Sequence, residues 1–295
     1  MGAQPLISFI VVSICSANLN KLKVNLERTV LEPFELLVFE NHQHYSLAYC
    51  YNYLIEKSKA DLVVCLHEDI LFKERGWDRK LITSFQEADN IGVLGIAGGT
   101  YKSRSFSPAW FNFRKNAHRI NIVQPNTQGQ LGPWVENLNN ESLSEVVVVD
   151  GVFMCCRKSV WEQYNFDENT VRGFHFYDMD FCLGVRSHGY KNYVTHEILL
   201  EHYSSGKNNL DWYKNGMRVH KKWEHALPQF VGEMTNEEIR QVEYQTLEYA
   251  FNLQLKLRAL GDAFISMCQL IWQRPLNGQN LLYLKNWMKQ LVYAA

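Results

Sequence analysis

Short apolar runs alternate with stretches of helical periodicity along the first hundred residues. Ile7–Ile14, Glu35–Phe39, Leu62–Leu66 and Gly92–Ile96 read as strands, and Asn20–Val30, Ser46–Ser58 and Trp77–Glu87 as helices between them. In Ser46–Ser58 the positions Leu47, Cys50, Tyr51, Leu54 and Ile55 share one face. Strand and helix in alternation predict right-handed crossovers and a mostly parallel central sheet, an α/β fold. Leu62–Leu66 is apolar at every position, as a strand covered on both faces requires.

The texture changes from Thr100 to Ser144, where Gly, Ser, Asn, Gln and Pro surround Trp110, Phe111, Phe113 and Trp134. This predicts a long loop region over a site, whose aromatics either stack on ligand faces, sugars included, or cover a sheet edge. Val146–Cys156 is again strongly apolar, broken by Asp150-Gly151; Arg157–Tyr164 reads as a short helix and Asn192–Thr195 as a strand. An Asp inside an apolar run is costly unless it is paired or catalytic.

After Phe230 the chain becomes helical. Thr235-Asn236-Glu237-Glu238 is a capping box, and a long helical pattern follows, with Gly261 as its expected interruption and Pro275 as its end. Residues 280–293 are amphipathic, with Leu281, Leu284, Trp287, Met288 and Leu291 opposite Lys285 and Lys289. The expected organisation is a domain over 1–230 and a helical extension over 231–295. Three arrangements stay open for the extension: packing back on the domain, forming a homodimer seam, or lying on a membrane surface.

Composition narrows the classes. The chain has 295 residues, 46% of them hydrophobic, enough for one large domain or a domain with an appendage. A net charge of -1 lacks the basic footprint of a nucleic-acid binder, so no nucleic-acid partner is expected. The seven cysteines are scattered and form no Cys-x-x-Cys pair, which predicts reduced thiols and a cytoplasmic protein, free or at the inner face of the membrane. Leu6–Ala17 has no preceding Lys or Arg and reads as a first strand rather than a secretory signal. No apolar run approaches the roughly 18 residues that a spanning helix needs. Neither a dinucleotide fingerprint nor a phosphate loop occurs.

Candidate chemistry starts at the end of Leu62–Leu66. His67, Glu68 and Asp69 fall at a strand's carboxyl end, where open α/β sheets bind ligands. His67 and Asp69, two residues apart, point the same way on an extended chain. Such a pair can hold a divalent cation, and a cation can hold a diphosphate; a solvated turn is the competing explanation. Asp178 and Asp180 open a helix behind Phe174, Phe176 and Tyr177. They are either ordinary first-turn acids or, for an Asp walled by aromatics, a general base with a tuned pKa. His202 follows another apolar stretch.

The order of these segments resembles family 2 glycosyltransferases of the GT-A fold over about residues 6–226, closest to the branch typified by a streptomycin-biosynthesis protein. Ile7-Ser8-Phe9-Ile10-Val11-Val12-Ser13 is similar to that family's first strand, and Leu36-Leu37-Val38-Phe39-Glu40-Asn41 to its second, whose terminal acid reads the base. His67-Glu68-Asp69 stands where the family has Asp-x-Asp. Asp150-Gly151-Val152-Phe153 resembles its acceptor-side strand, Phe166-Asp167-Glu168 its Phe-Asp-Glu, and Tyr177-Asp178-Met179-Asp180-Phe181 its Glu-Asp-x-Asp-Leu segment. His202 matches the late His that closes the metal site. His67 and Tyr177 depart from the pattern, in place of Asp and Glu.

The resemblance implies a nucleoside-diphosphate sugar donor and a glycan or other hydroxyl acceptor, joined by inverting displacement in polysaccharide or glycoconjugate synthesis. Ser13, Glu40, Asn41 and His67 would serve the nucleotide. Asp69 and His202, with His67 in support, would hold Mn2+ or Mg2+. Asp178 would be the base, with Trp110, Asp150, Gly151, Tyr177 and Asp180 on the acceptor side. Two other classes compete: a non-catalytic GT-A module that binds nucleotide or glycan, and a metal-dependent phosphodiester hydrolase built on His67, Asp69 and His202.

Overall fold

The structure is a computed structural model that describes residues 5–42, 44–126, 128–203 and 209–292. Its central sheet has seven strands in the order Leu143–Val146, Lys191–Thr195, Ile91–Gly95, Phe153–Arg157, Leu62–Leu66, Ile7–Ser13, Phe34–Glu40. Ile7–Ser13 runs parallel to both neighbours, with Ser13 opposite Glu40 and Val11 opposite Leu66. Ser13, Glu40 and the residues after Leu66 therefore share one edge. The helices Ser16–Thr29, Leu47–Lys57 and Trp77–Glu87 make the connections.

Alternate residues of each inner strand feed two different cores. Ile10, Val63 and Cys65 join the helix Leu47–Lys57 on one face, while Phe9, Val11, Val64 and Leu66 join Leu22, Leu26 and Trp77 on the other. This double burial is the physical reason for the unbroken apolar run.

Five of the seven strands run the same way, as a mostly parallel sheet requires, and two run against them. Phe153–Arg157 runs antiparallel to both Leu62–Leu66 and Ile91–Gly95, and Leu143–Val146 antiparallel to Lys191–Thr195. The cause lies between residues 95 and 153. A parallel return needs a crossover that carries the chain back to the other end of the sheet. Here the chain instead builds further strands beyond the sheet's carboxyl edge and re-enters from that edge. Phe153 then stands opposite Leu66, and Asp150, Gly151 and Val152 lie beside His67, whose amide donates to Val152 O at 3.2 Å.

Those further strands form a second sheet, in the order Val148–Val149, Ala97–Gly99, His118–Pro125, Leu200–His202, Ile70–Phe72, with Leu131–Glu136 paired to His118–Pro125. The long loop expected over 100–144 is thus in part a hairpin. The side chain of Asn126 closes its turn, accepting from the amides of Gln128 and Gln130 at 2.9 and 3.0 Å, and Gly129 adopts φ +78°. The hairpin is half exposed and rich in polar residues, so it carries no clear two-residue period.

The chain ends in the helices Asn236–Lys256, Leu260–Gln273 and Asn280–Val292. The capping box is formed: Thr235 N donates to Glu238 Oε2 at 2.7 Å, and Glu238 N to Thr235 Oγ1 at 3.2 Å. The helical pattern breaks before Gly261, at Arg258, whose φ is +59°. The first of these helices packs back on the preceding residues. Glu243 accepts from Tyr101 Oη at 2.7 Å, Gln254 Nε2 donates to Tyr213 Oη at 3.0 Å, and Tyr249 meets Phe111 and Phe113. Along the other two helices and the turn between them, Trp272, Leu276 and Leu281 leave 87%, 99% and 79% of their surface exposed.

Candidate active site

Leu62–Leu66 ends in His67, Glu68 and Asp69, and strand alternation sends the middle residue the other way from its neighbours. Glu68 turns toward the first strand. Its carboxylate accepts from Ser13 Oγ at 2.5 Å and from the amides of Ile14 and Cys15 at 3.2 and 3.1 Å. Cys15 precedes the helix Ser16–Thr29 and supplies no side-chain cap, so this negative charge satisfies the helix start instead.

His67 and Asp69 turn the opposite way from Glu68 and meet His202. The strand Leu200–His202 lies antiparallel to Ile70–Phe72 with His202 opposite Ile70, which brings it next to Asp69. Asp69 Oδ1 is 3.9 Å from His67 Nδ1 and 3.6 Å from His202 Nε2. One ligand atom from each of the three lies within 4.8 Å of the others. The amide of Tyr203 donates to Asp69 O at 3.1 Å and ties the two segments together. Desolvation, then the facing His202, hold the His67 imidazole below its ordinary pKa of 6.5. That favours the neutral form, which has a lone pair for a cation.

The second wall comes from the re-entering strand and the helix Tyr177–Ser187. Asp150 accepts from Trp110 Nε1 at 2.5 Å and from the amide of Val152 at 2.9 Å. Asp178 accepts from the amides of Gly151 and Met179 at 3.2 and 2.9 Å and is buried. Burial, and then the charge of Asp150, push its carboxyl up from 3.8 to about 7. Tyr177 Oη lies 3.1 Å from Gly151 O and 3.1 Å from His67 Nε2, so it bridges the two walls. A Cβ on residue 151 would stand 2.2 Å from that hydroxyl, so the place requires glycine.

A cavity of about 260 Å³ adjoins His202 and Asp150 and is lined in part by Trp110, Gln124 and Trp134 as well. The segment that carries Trp110 is held from below by Lys102. Its buried ammonium donates to Ser107 O, Ser107 Oγ and Pro108 O at 3.0, 2.9 and 3.1 Å, and burial lowers its pKa to about 7.

The structure thus brings together His67, Asp69, His202, Tyr177, Gly151, Asp150, Trp110 and Asp178. Ser13 and Glu40 stand at adjacent strand ends of the same edge, with Glu40 exposed. Asn41 is buried, and its side chain is engaged by its own turn, accepting from the amides of His44 and Tyr45 and donating to Tyr45 O. Asp180 lies apart from the cleft residues in a network of its own. It is fully buried and accepts from Tyr164 Oη at 3.0 Å, Trp223 Nε1 at 2.8 Å and the Lys222 ammonium at 2.7 Å. Trp134, one of the aromatics expected over a site, lines the cavity, and Glu68, the middle member of the triplet, serves the helix start instead. Gln124 lines the cavity without having had a signal in the sequence.

Residues 10–223 match the model of the glycosyltransferase-like family, well over half of the chain. The chain belongs to that family. Among curated proteins, none matches its sequence. Solved structures similar to this glycosyltransferase-like chain share the GT-A fold. One is S. aureus TarS 1-349 in complex with UDP, with a TM-score of 0.52 at 12% identity, over 96% of this chain and 87% of that one. TarS 1-349 in complex with UDP-GlcNAc gives 0.50 at 12% identity, over 90% and 81%. GalNAc-T7 with UDP, GalNAc and Mn2+ gives 0.51 at 10% identity, over 85% of this chain. This chain spans only 57% of that GalNAc-T7 structure.

Proposed function

We propose that the protein is a metal-dependent, inverting glycosyltransferase that moves a sugar from a nucleoside-diphosphate sugar to an acceptor hydroxyl, in polysaccharide or glycoconjugate synthesis. One observation carries the reading: a His/Asp/His cluster stands at the carboxyl edge of the sheet, and a buried Asp with a raised pKa is linked to it by hydrogen bonds through Gly151 and Tyr177. His67, Asp69 and His202 would hold the cation. Two imidazole nitrogens with one carboxylate suit Mn2+ better than Mg2+, which favours oxygen ligands. When bound, the ion supplies neutralisation of the diphosphate leaving group. The GalNAc-T7 neighbour contains Mn2+ and UDP, which makes these the first probes to use.

In this reading Asp178 accepts the proton of the attacking hydroxyl. A base with a pKa of about 7 is matched to neutral pH, and the Gly151 and Met179 amides fix its orientation. Trp110 and Trp134 offer ring faces to an acceptor sugar, with Asp150 beside them as a hydrogen-bond acceptor. Ser13 and Glu40 flank the nucleoside. The streptomycin-biosynthesis branch remains our preferred placement within the family, on the His67-Glu68-Asp69 triplet. Asp178→Asn should leave donor affinity within a few-fold and lower transfer by roughly 10²–10⁴-fold. A variant that transfers sugar at the wild-type rate would return Asp178 to the role of a first-turn acid. Donor cleavage to water with no acceptor requirement would favour the hydrolase reading instead. A protein that binds donor and never turns it over would favour the binding module.

The division at about residue 230 belongs to the same reading, with 231–295 as a helical extension. Among the described residues no helix is long and apolar enough to cross a membrane. After Asp262 the sequence has no Asp or Glu, while Arg274, Lys285 and Lys289 remain, and the exposed Trp272, Leu276 and Leu281 lie in the same stretch. An apolar face with basic residues and no acids is suited to an anionic lipid surface. The extension would then hold the cytoplasmic enzyme against the inner face of a membrane; a homodimer seam is the competing use of that face.

A further inference from the structure

We infer that Tyr177 is a positioning residue that fixes which nitrogen of His67 carries the proton, and thereby aims the other nitrogen at the cation site. The inference rests on the metal reading of His67, Asp69 and His202. The Tyr177 hydroxyl lies 3.1 Å from Gly151 O and 3.1 Å from His67 Nε2, and the residue is buried. Tyr51, whose side chain also hydrogen-bonds Tyr177, has a proton of its own to donate, whereas a carbonyl oxygen only accepts, so the one phenolic proton of Tyr177 goes to Gly151. Turning that proton toward His67 would leave two oxygens 3.1 Å apart with no proton between them, in a buried place. The phenol therefore offers His67 a lone pair, and Nε2 is the protonated nitrogen.

In a neutral imidazole the other nitrogen then carries the lone pair. For His67 that is Nδ1, the atom 3.9 Å from Asp69 Oδ1, and the same oxygen is 3.6 Å from His202 Nε2. Hydrogen bonds of this kind set the tautomer and ring orientation of metal-binding histidines, and their loss typically costs 10–100-fold in metal affinity. An aspartate at position 67 has no tautomer to set. Residues 67 and 177 are therefore coupled: the phenol matters when position 67 is histidine and ceases to matter when it is aspartate.

The test is a double-mutant cycle on the full chain, read by calorimetric titration with Mn2+ alone. Tyr177→Phe should weaken Mn2+ binding about 10–100-fold in the His67 protein. In the His67→Asp background the same substitution should change it by no more than about two-fold. Equal losses in both backgrounds, or no loss in either, would overturn the inference. Nitrogen NMR of the His67 ring in the metal-free wild-type protein gives a readout that needs no variant. It should show protonated Nε2 and bare Nδ1; the opposite tautomer would overturn the inference even if Mn2+ binds. A wild-type protein that takes up no Mn2+ but shows the expected tautomer would sink the metal reading and leave the hydrogen-bond assignment standing.

Discussion

Replacing Asp178 by asparagine should stabilise the protein while it removes transfer, and the gain should grow with pH. The carboxyl titrates at about 7 in the folded chain against an ordinary 3.8, because burial and the charge of Asp150 oppose its ionisation. At about 1.4 kcal/mol per unit, holding it ionised in the fold costs about 4 kcal/mol at pH 8. Between these two pKa values the folded state binds more protons than the unfolded state, so stability falls as pH rises from about 4 to about 7. At pH 5 the cost has reached only about 2 kcal/mol. Asparagine carries no charge but keeps a single acceptor oxygen for two amides, those of Gly151 and Met179. Losing one such bond costs about 1 kcal/mol. Asp178→Asn is then expected to be more stable than wild type by about 3 kcal/mol at pH 8 and about 1 kcal/mol at pH 5. Urea unfolding of both proteins in chelator at the two pH values measures this. A difference that does not change with pH, or a variant less stable than wild type at pH 8, would refute the reasoning. A buried carboxyl kept at a cost in stability is a common feature of functional sites.

Other substitutions separate the cleft from its supports. Gly151→Ala puts a Cβ 2.2 Å from the Tyr177 hydroxyl, so it should cost about 1–3 kcal/mol in urea unfolding and weaken Mn2+ binding; a neutral result would mean that the Tyr177 bridge is not required. Asp180→Ala removes the partner of the buried Trp223 indole, of the half-buried Tyr164 hydroxyl and of the Lys222 ammonium, which keeps Asp167 at 2.7 Å. It should destabilise by about 1–3 kcal/mol, and a stable but inactive variant would move Asp180 into the acceptor site. Full-length protein should float with vesicles that contain anionic lipid, release in high salt, and lose binding in Lys285→Glu/Lys289→Glu. Equal binding to neutral vesicles would contradict the charge argument, and a concentration-dependent dimer without flotation would favour the homodimer seam.

Elements whose signal is local were legible in the sequence. The apolar run Leu62–Leu66, the helix Trp77–Glu87 and the Thr235 capping box need only neighbouring residues to declare themselves. The two-residue spacing of His67 and Asp69 likewise predicts that both turn one way and that Glu68 turns the other. What the sequence hid depends on distant partners. Asp180 looks like a second member of the acidic pair, but its charge is matched by Lys222, which lies on another helix. Asn41 follows a strand end as a ligand would, yet its side chain closes a turn with residues 44 and 45. The hairpin from His118 to Glu136 is half exposed and lacks alternation, so its composition reads as loop. The antiparallel entry of Phe153–Arg157, which sets Asp150 and Gly151 beside His67, is a consequence of topology that no local pattern announces.

The most direct test of the account is nucleotide binding with and without the cation. UDP should raise the melting temperature of the wild-type protein in Mn2+ and leave it unchanged in EDTA, since a ligand that binds only the folded state stabilises it by mass action. Asp69→Ala and His202→Ala should each abolish the Mn2+-dependent shift. A shift of the same size in EDTA, or one that survives both substitutions, would contradict a cation held by His67, Asp69 and His202 at the centre of this site.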